Sequence, residues 1–311
     1  MRTAIIGAGR KRNGIGAYIG KYLQQNGADV VSVLGTSPET AQKAAVALGT
    51  YGIKASAYAG FAAMMQAEHP DAVVIASPVR THYEYVLKSL DHGVHIFCEK
   101  PFIWEDQNRG DIDALLEPVF EQARRKNRKI AMNCQWPFSL PFYEELCGPV
   151  DAEAAETFYI RLSPVVSGRE MIPDSVPHAL SLLYRVFGAG EIKGLSFTAG
   201  SKEAAELTIR FDYASASRSC QSSIELVQTL RQPRDFAYGF NGRIVQRALE
   251  GPGYRISFTH GDKKIPIQDP LELSVRDFIS AAEKNREPAA GTEHIRNNMK
   301  LLTEIYNASE K

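Results

Sequence analysis

The sequence predicts an α/β protein in two parts: a doubly wound parallel sheet over residues 1–132, then an α+β part over residues 133–311 built on a mainly antiparallel sheet. Three observations predict it. Short apolar runs alternate with helical stretches through the first part, which is the signature of parallel strands joined by crossover helices. Those runs are apolar at consecutive positions, as in Val73, Val74, Ile75 and Ala76, which suits strands buried on both faces. After about Pro141 the texture changes. There "ETFYIRL", "GLSFTA", "AELTIRFDY", "SCQSSIELV" and "YRISFTH" alternate in character with hairpin-scale gaps, the pattern of an antiparallel sheet with one covered face.

In chain order, the first element is the strand in "TAIIGAG", which runs into Gly7 and Gly9. A dinucleotide loop needs a buried strand and a tight Gly-x-Gly turn that lets backbone amides approach a pyrophosphate. It also needs a third glycine where the next helix packs close to the strand. Regular spacing would put that glycine at position 12, which is Arg12. Ile15, Tyr18, Ile19, Tyr22 and Leu23 recur with helical period and Asn26-Gly27 stops them, so the helix begins near Gly14 and Gly16 serves as the third glycine. The loop then carries about four extra residues, the cationic "RKRN", and still leads onto a helix N-terminus whose free amides favour anions. The expected phosphate-side residues are Gly7, Gly9, Arg10, Gly14, Ile15 and Gly16.

The second strand, "DVVSVL", ends in Gly35-Thr36-Ser37, and helical stretches follow in "SPETAQKAAVALG" and "AYAGFAAMMQAEHP". The strand "DAVVIAS" ends on the Ser77-Pro78 turn, His82 opens a helix that His92-Gly93 stops, and "VHIFCE" runs into Glu99-Lys100-Pro101. "IDALLEPVFEQA" reads as a helix closed by the basic run Arg124 to Lys129, where cations complement the dipole. The two prolines of "CQWPFSLP" suit a connection between the parts. In "DSVPHALSLLYRVFG", Asp174 and His178 are four apart and share one side of a helix near its start, and Asp174 also suits the N-cap of that helix. Helical stretches, "DPLELSVRDFISAAEKN" and "GTEHIRNNMKLLTEIYNAS", close the chain.

Composition narrows the function classes. Lysine plus arginine and aspartate plus glutamate are both 36, so no bulk field draws the chain to nucleic acid or membrane. The first residues enter a strand without a charged n-region or cleavage site, and no apolar run approaches the ~20 residues that span a bilayer. The four cysteines are scattered without a C-x-x-C pair, which reads as reduced thiols. The expectation is a cytoplasmic protein that takes a small-molecule substrate and no nucleic acid or membrane. His92 and His95 in "HGVH" span a helix stop and a strand start with no third ligand nearby, so no metal is expected.

Ser77-Pro78 with Glu99-Lys100-Pro101 at this distance, joined by the D-x-x-x-H pattern of Asp174 and His178, resembles the Gfo/Idh/MocA family of NAD(P)-dependent oxidoreductases. The likeness runs over nearly the whole chain. It implies an amino-terminal Rossmann domain, then a substrate-binding and oligomerisation domain with an open, mainly antiparallel sheet, and a homodimer or homotetramer. The implied activity is hydride transfer between nicotinamide and a sugar, cyclitol or similar polyol or carbonyl substrate. By the same resemblance Lys100 handles the proton or polarises the carbonyl, His178 meets the substrate hydroxyl, and Asp174 orients and balances charge. Ser77, Pro78, His82, Glu99 and Lys100 join the glycine loop on the cofactor side. Similar folds reduce imines or linear tetrapyrroles, and some relatives bind the nucleotide only to regulate; the retention of Lys100, Asp174 and His178 favours catalysis.

Strands of this kind carry an acid at their end when the loop is NAD-specific, to hold the ribose hydroxyls. Here Thr36 and Ser37 stand in that place, and Asp29 precedes the strand. A 2′-phosphate meets no like charge there, and Arg10, Lys11 and Arg12 are cations nearby in sequence, so NADP is favoured over NAD.

Overall fold

A computed structural model of the chain describes residues 1–9, 14–104, 110–199, 205–216, 218–251 and 255–310. Two compact units divide it, one of Met1–Asn133 with Leu271–Arg296, the other of Cys134–Pro270 with Asn297–Lys311.

In the first unit the strands β1 (Arg2–Ile6), β2 (Asp29–Leu34), β3 (Ser56–Tyr58), β4 (Ala72–Ile75), β5 (His95–Glu99) and β6 (Ile130–Asn133) lie in the order β3-β2-β1-β4-β5-β6. Every pairing is parallel. The helices between them are α1 (Gly16–Gln25), α2 (Pro38–Gly49), α3 (Phe61–Glu68), α4 (His82–Asp91) and α5 (Ile112–Arg125). The strand order reverses between β1 and β4, the switch point at which open α/β sheets leave a crevice at the carboxyl ends of their strands. All four residues of β4 are buried, as a strand covered on both faces must be. The "AYAGFAAMMQAEHP" stretch is a strand and then a helix: Ser56–Tyr58 pairs with β2 before α3 starts.

Sequence reading had placed all of residues 133–311 in the second part, whereas α8 (Pro270–Glu283) packs, from Leu271 onward, with the first unit. Its apolar stripe explains why: Leu271, Val275, Phe278 and Ile279 are buried in one core with Ile5, Leu23, Val74 and Phe97. The Phe97 and Phe278 rings lie 5.2 Å apart.

Two histidines of this unit predict its acid sensitivity. Burial, with the Arg128 charge beside it, lowers His95 to about 4, and its Nδ1 accepts the Lys129 amide at 3.0 Å. Burial also lowers His294 to about 4. Both would titrate near ~6.5 unfolded, so between about pH 6.5 and 4 the unfolded chain binds more protons and acid destabilises the fold. Between pH 7 and 5 the urea-unfolding free energy is expected to fall by about 2–4 kcal/mol, the fully buried His294 giving about half or more of it. A flat profile over that range contradicts the buried neutral state.

In the second unit, α6 (Leu140–Cys147) starts on the last two residues of the stretch read as a connection, with Pro141 in its first turn where a missing amide costs nothing. Its sheet comprises β7 (Thr157–Leu162), β8 (Gly190–Ala199), β9 (Glu206–Ser215), β10 (Ser219–Val227), β11 (Phe236–Phe240), β12 (Arg243–Glu250), β13 (Arg255–His260) and β14 (Lys263–Ile267). The order is β14-β13-β12-β11-β7-β10-β9-β8. Only β7 with β10 pairs in parallel. The helices α7 (Met171–Phe187) and α9 (Thr292–Ala308) complete the described elements.

The central strands alternate cleanly. Phe158, Ile160 and Leu162 pair across to Ser222, Ile224 and Leu226 on the buried face. The opposite face carries Tyr159, Arg161, Arg210, Asp212, Ser223 and Glu225 at the intervening positions. Tyr159 donates to Glu225 at 2.6 Å, and burial and that carboxylate push its hydroxyl up to about 12.

Candidate active site

The glycine loop starts at the end of β1. Gly7 has φ +88°, and a Cβ there would stand 2.6 Å from the Ser77 backbone, so the turn is closed against the end of β4. Gly9 faces the start of α2, where a Cβ would lie 3.2 Å from the Ala44 side chain. A Cβ on Gly16 would lie 2.8 Å from the Ala8 Cα, so this glycine lets α1 approach the loop backbone closely. Helix α1 begins at Gly16 with Ile15 at its N-cap, two residues later than the helix start read at Gly14, and no side chain among the described residues caps it. Its first amides are therefore open to an anion, and no acid lies in its first turn. These features fit a dinucleotide pyrophosphate. Arg10, named as a cofactor contact from the sequence, lies outside the described residues, as do Lys11 and Arg12.

Beyond β2, Thr36 is exposed and Ser37 caps α2: its Oγ accepts the Thr40 amide at 3.2 Å while Thr40 Oγ1 accepts the Ser37 amide at 2.8 Å. Ser77 is buried at the end of β4, where its hydroxyl and that of Thr81 lie 2.7 Å apart, and Pro78 is exposed. His82 is 1% exposed with its ring nitrogens against two main-chain carbonyls, so its ring points into the protein rather than toward a ligand. Lys100 is half-buried at the carboxyl end of β5, where open sheets of this kind place their ligands. The preceding Glu99 accepts a hydrogen bond from Asn133 Nδ2 at 2.5 Å, and Asn133 in turn accepts from Ser274 at 3.3 Å.

Asp174 and His178 belong to the second unit, on α7. That helix begins at Met171, three residues ahead of Asp174, so the N-cap role open to Asp174 on the sequence is corrected: Pro173 is tolerated inside the first turn and the helix extends back past it. From Met171 to Leu183 every residue is buried except Asp174 and His178, which are half-buried. Spaced one turn apart, they open a polar stripe on an otherwise apolar helix. The Trp136 ring stands edge-on to His178 at 6.5 Å and stacks on Phe236 at 3.5 Å. Trp136 escaped the sequence reading, although its place just beyond a strand's carboxyl end was a usable signal. Beside His178, the Pro177 carbonyl accepts from Asn298 at 2.8 Å and from Ser181 at 2.7 Å, which steadies the backbone under the stripe. Among the described residues no cluster of three or more His, Cys, Asp or Glu could hold a metal ion, and no helix is long and apolar enough to cross a membrane.

Residues 1–132 match the oxidoreductase family Gfo/Idh/MocA, described by its NAD-binding Rossmann fold. The match covers the amino-terminal part of this chain, less than half of its length. D-glucoside 3-dehydrogenase of Escherichia coli is 38% identical over 101 residues, which cover 32% of this chain and 27% of that protein. Inositol 2-dehydrogenase of Ralstonia nicotianae is 41% identical over 76 residues, covering 24% of this chain and 22% of the relative. The chain thus spans about a quarter of the length of these Gfo/Idh/MocA relatives. The solved structure of UDP-N-acetylglucosamine 3-dehydrogenase from Acidithiobacillus ferrooxidans covers 99% of this chain, and 97% of its own, with a TM-score of 0.71 at 19% identity. That likeness shows the fold: each unit, one with a parallel and one with a mainly antiparallel sheet, has its counterpart in that structure.

Proposed function

We propose that the chain is an NAD(P)-dependent oxidoreductase acting on a CH–OH group of a sugar, cyclitol or similar polyol, or on the matching carbonyl. The observation that carries this reading is Lys100, held at the carboxyl end of β5 in a domain of the NAD-binding family, with a glycine loop that leaves no room for side chains. Gly7, Gly9, Gly14, Ile15 and Gly16 would hold the pyrophosphate. Thr36 and Ser37 would meet the adenosine ribose, and Ser77, Pro78 and Glu99 would line the cofactor side. The bound nicotinamide supplies the acceptor or donor of hydride. Lys100 takes the hydroxyl proton as the alcohol is oxidised, or returns it in the reverse direction. His178 hydrogen-bonds the substrate hydroxyl, and Asp174 orients it and balances charge. The related dehydrogenases of glucosides and inositol support a substrate rich in hydroxyls.

NADP is the preferred cofactor in this reading, because no acid stands at the end of β2 to repel a 2′-phosphate. Fluorescence titration should give tighter binding of NADPH than of NADH, and a tenfold preference for NADH contradicts it. Pairing of two copies through the polar sheet face fits its balance of opposite charges, with Arg161 and Arg210 set among Asp212 and Glu225. The activity itself is tested by incubating the protein with NAD or NADP and a panel of sugars, cyclitols and polyols. Growth of reduced-nicotinamide absorbance is the expected result, and nucleotide binding without turnover on any member argues for a regulator.

A further inference from the structure

The cofactor and substrate roles above leave His82 without work, although it is the first residue of α4 and almost wholly buried. Its ring lies between two main-chain carbonyls, with Nδ1 2.9 Å from the Pro101 oxygen and Nε2 3.0 Å from the Ser77 oxygen. We propose that His82 is the positioning residue of Lys100, tying the segment that carries the lysine to the turn at the end of β4.

The pairing of β4 with β5 ends at Ile75 with Cys98. Ser77 and Pro101 lie just past that last pair, where the strands diverge and the ladder gives out. The imidazole bridges the two segments there, replacing the missing rung. Lys100 sits between two anchored neighbours. Glu99 is held by Asn133, and Pro101 is held by His82. One residue on, the Phe102 carbonyl accepts from the Cys98 thiol at 3.8 Å, and the Phe102 ring packs on Phe120. The turn at the other end of the bridge is equally fixed, since Thr81 Oγ1 donates to the Pro78 carbonyl at 2.8 Å.

The chemistry of the ring sharpens the inference. A carbonyl only accepts, and a neutral imidazole has one N–H, so it satisfies one of these two contacts. The ring protonated on both nitrogens donates to both, and each bond is then charge-assisted. In either neutral tautomer one ring N–H donates to one of the two carbonyls while the ring fills the gap between them. A displacement of about 1 Å in a reacting group costs on the order of 10²-fold in rate, so a bridge that fixes the neighbouring residue bears on Lys100.

The turnover arm of the test rests on the proposed function, and the spectroscopic arm does not. His82→Ala is expected to lower kcat by about 10²-fold while the KM for a polyol substrate and the NADPH affinity change less than about threefold. His82→Gln, whose amide offers two donors, is expected to recover much of kcat. Should the alanine variant fail to fold, the same comparison is made between His82→Gln and His82→Asn, whose shorter amide keeps only the Nδ1 contact. A loss that falls on KM or NADPH affinity with kcat intact overturns the positioning role. In the wild-type chain, 15N spectra of labelled histidine, assigned by the signals missing from His82→Gln, should show a single fixed protonation state of the ring, with its N–H held in a hydrogen bond. A ring that exchanges between tautomers as a free imidazole does overturns the bridge. If the wild-type chain oxidises no member of the panel, the proposed function fails while the spectra still decide the bridge.

Discussion

Lys100→Ala is expected to lose turnover by about 10²–10⁴-fold, the range that general acid–base groups supply, and yet to fold and bind nicotinamide nucleotide as the parent chain does. The separation follows from where the parts lie. The proposed pyrophosphate site is the turn after β1 and the start of α1, whereas Lys100 follows β5. Its side chain is half-buried, so its removal opens no large cavity in the core. Thermal unfolding and NADPH titration check the second half of the expectation, and steady-state kinetics on a verified substrate check the first. Full activity in this variant would remove the proton-transfer role and leave the nucleotide-bound regulator as the better reading.

Gly7→Ala is expected to be the most damaging single methyl in the cofactor loop. A non-glycine residue at a positive φ of this kind costs about 1–3 kcal/mol, and forcing a methyl into packed backbone costs about 1–3 kcal/mol more. Gly27 supplies the control. It has nearly the same dihedral, φ +86° against +88°, but nothing lies within 4 Å of its would-be Cβ, whereas at Gly7 the Ser77 backbone is 2.6 Å away. Gly27→Ala therefore isolates the dihedral cost, and the difference between the two variants in urea unfolding reads the overlap. Only Gly7→Ala should also weaken NADPH binding, because only there does relief of the overlap move the loop. Equal stabilities and equal affinities in the two variants would contradict the close approach.

The parallel sheet was legible because its central strands are short apolar runs bounded by turns, as at Val73 to Ala76 before Ser77-Pro78, whereas β3 has no such run. The docking of α8 was not, since an apolar stripe on a helix does not say which of two cores it enters. The β11–β12 hairpin was missed despite its Asn241-Gly242 turn, in which both residues have positive φ, 49° and 74°, as a two-residue hairpin of this twist requires. Every residue of β11 is buried, so the alternation that marked its neighbours was absent there. At the candidate site, the four-residue spacing of Asp174 and His178 foretold a shared helix face, and their exposure on a buried helix agrees. The inward turn of His82 was invisible, because a histidine at a helix start reads the same whether its ring faces a ligand or two carbonyls.

Hydride transfer is the central claim, and isotope tracing tests it most directly. The wild-type chain is incubated with NADPH or NADH carrying deuterium at nicotinamide C4, in both stereochemical forms, together with keto-sugars and inosose-type ketones, and the products are read by mass spectrometry. One deuterium bonded to the carbon that bears the new hydroxyl, from one stereochemical form only and lost in Lys100→Ala, is the predicted result. Nucleotide that binds but returns its deuterium unmoved, with every ketone recovered unlabelled, would contradict the account.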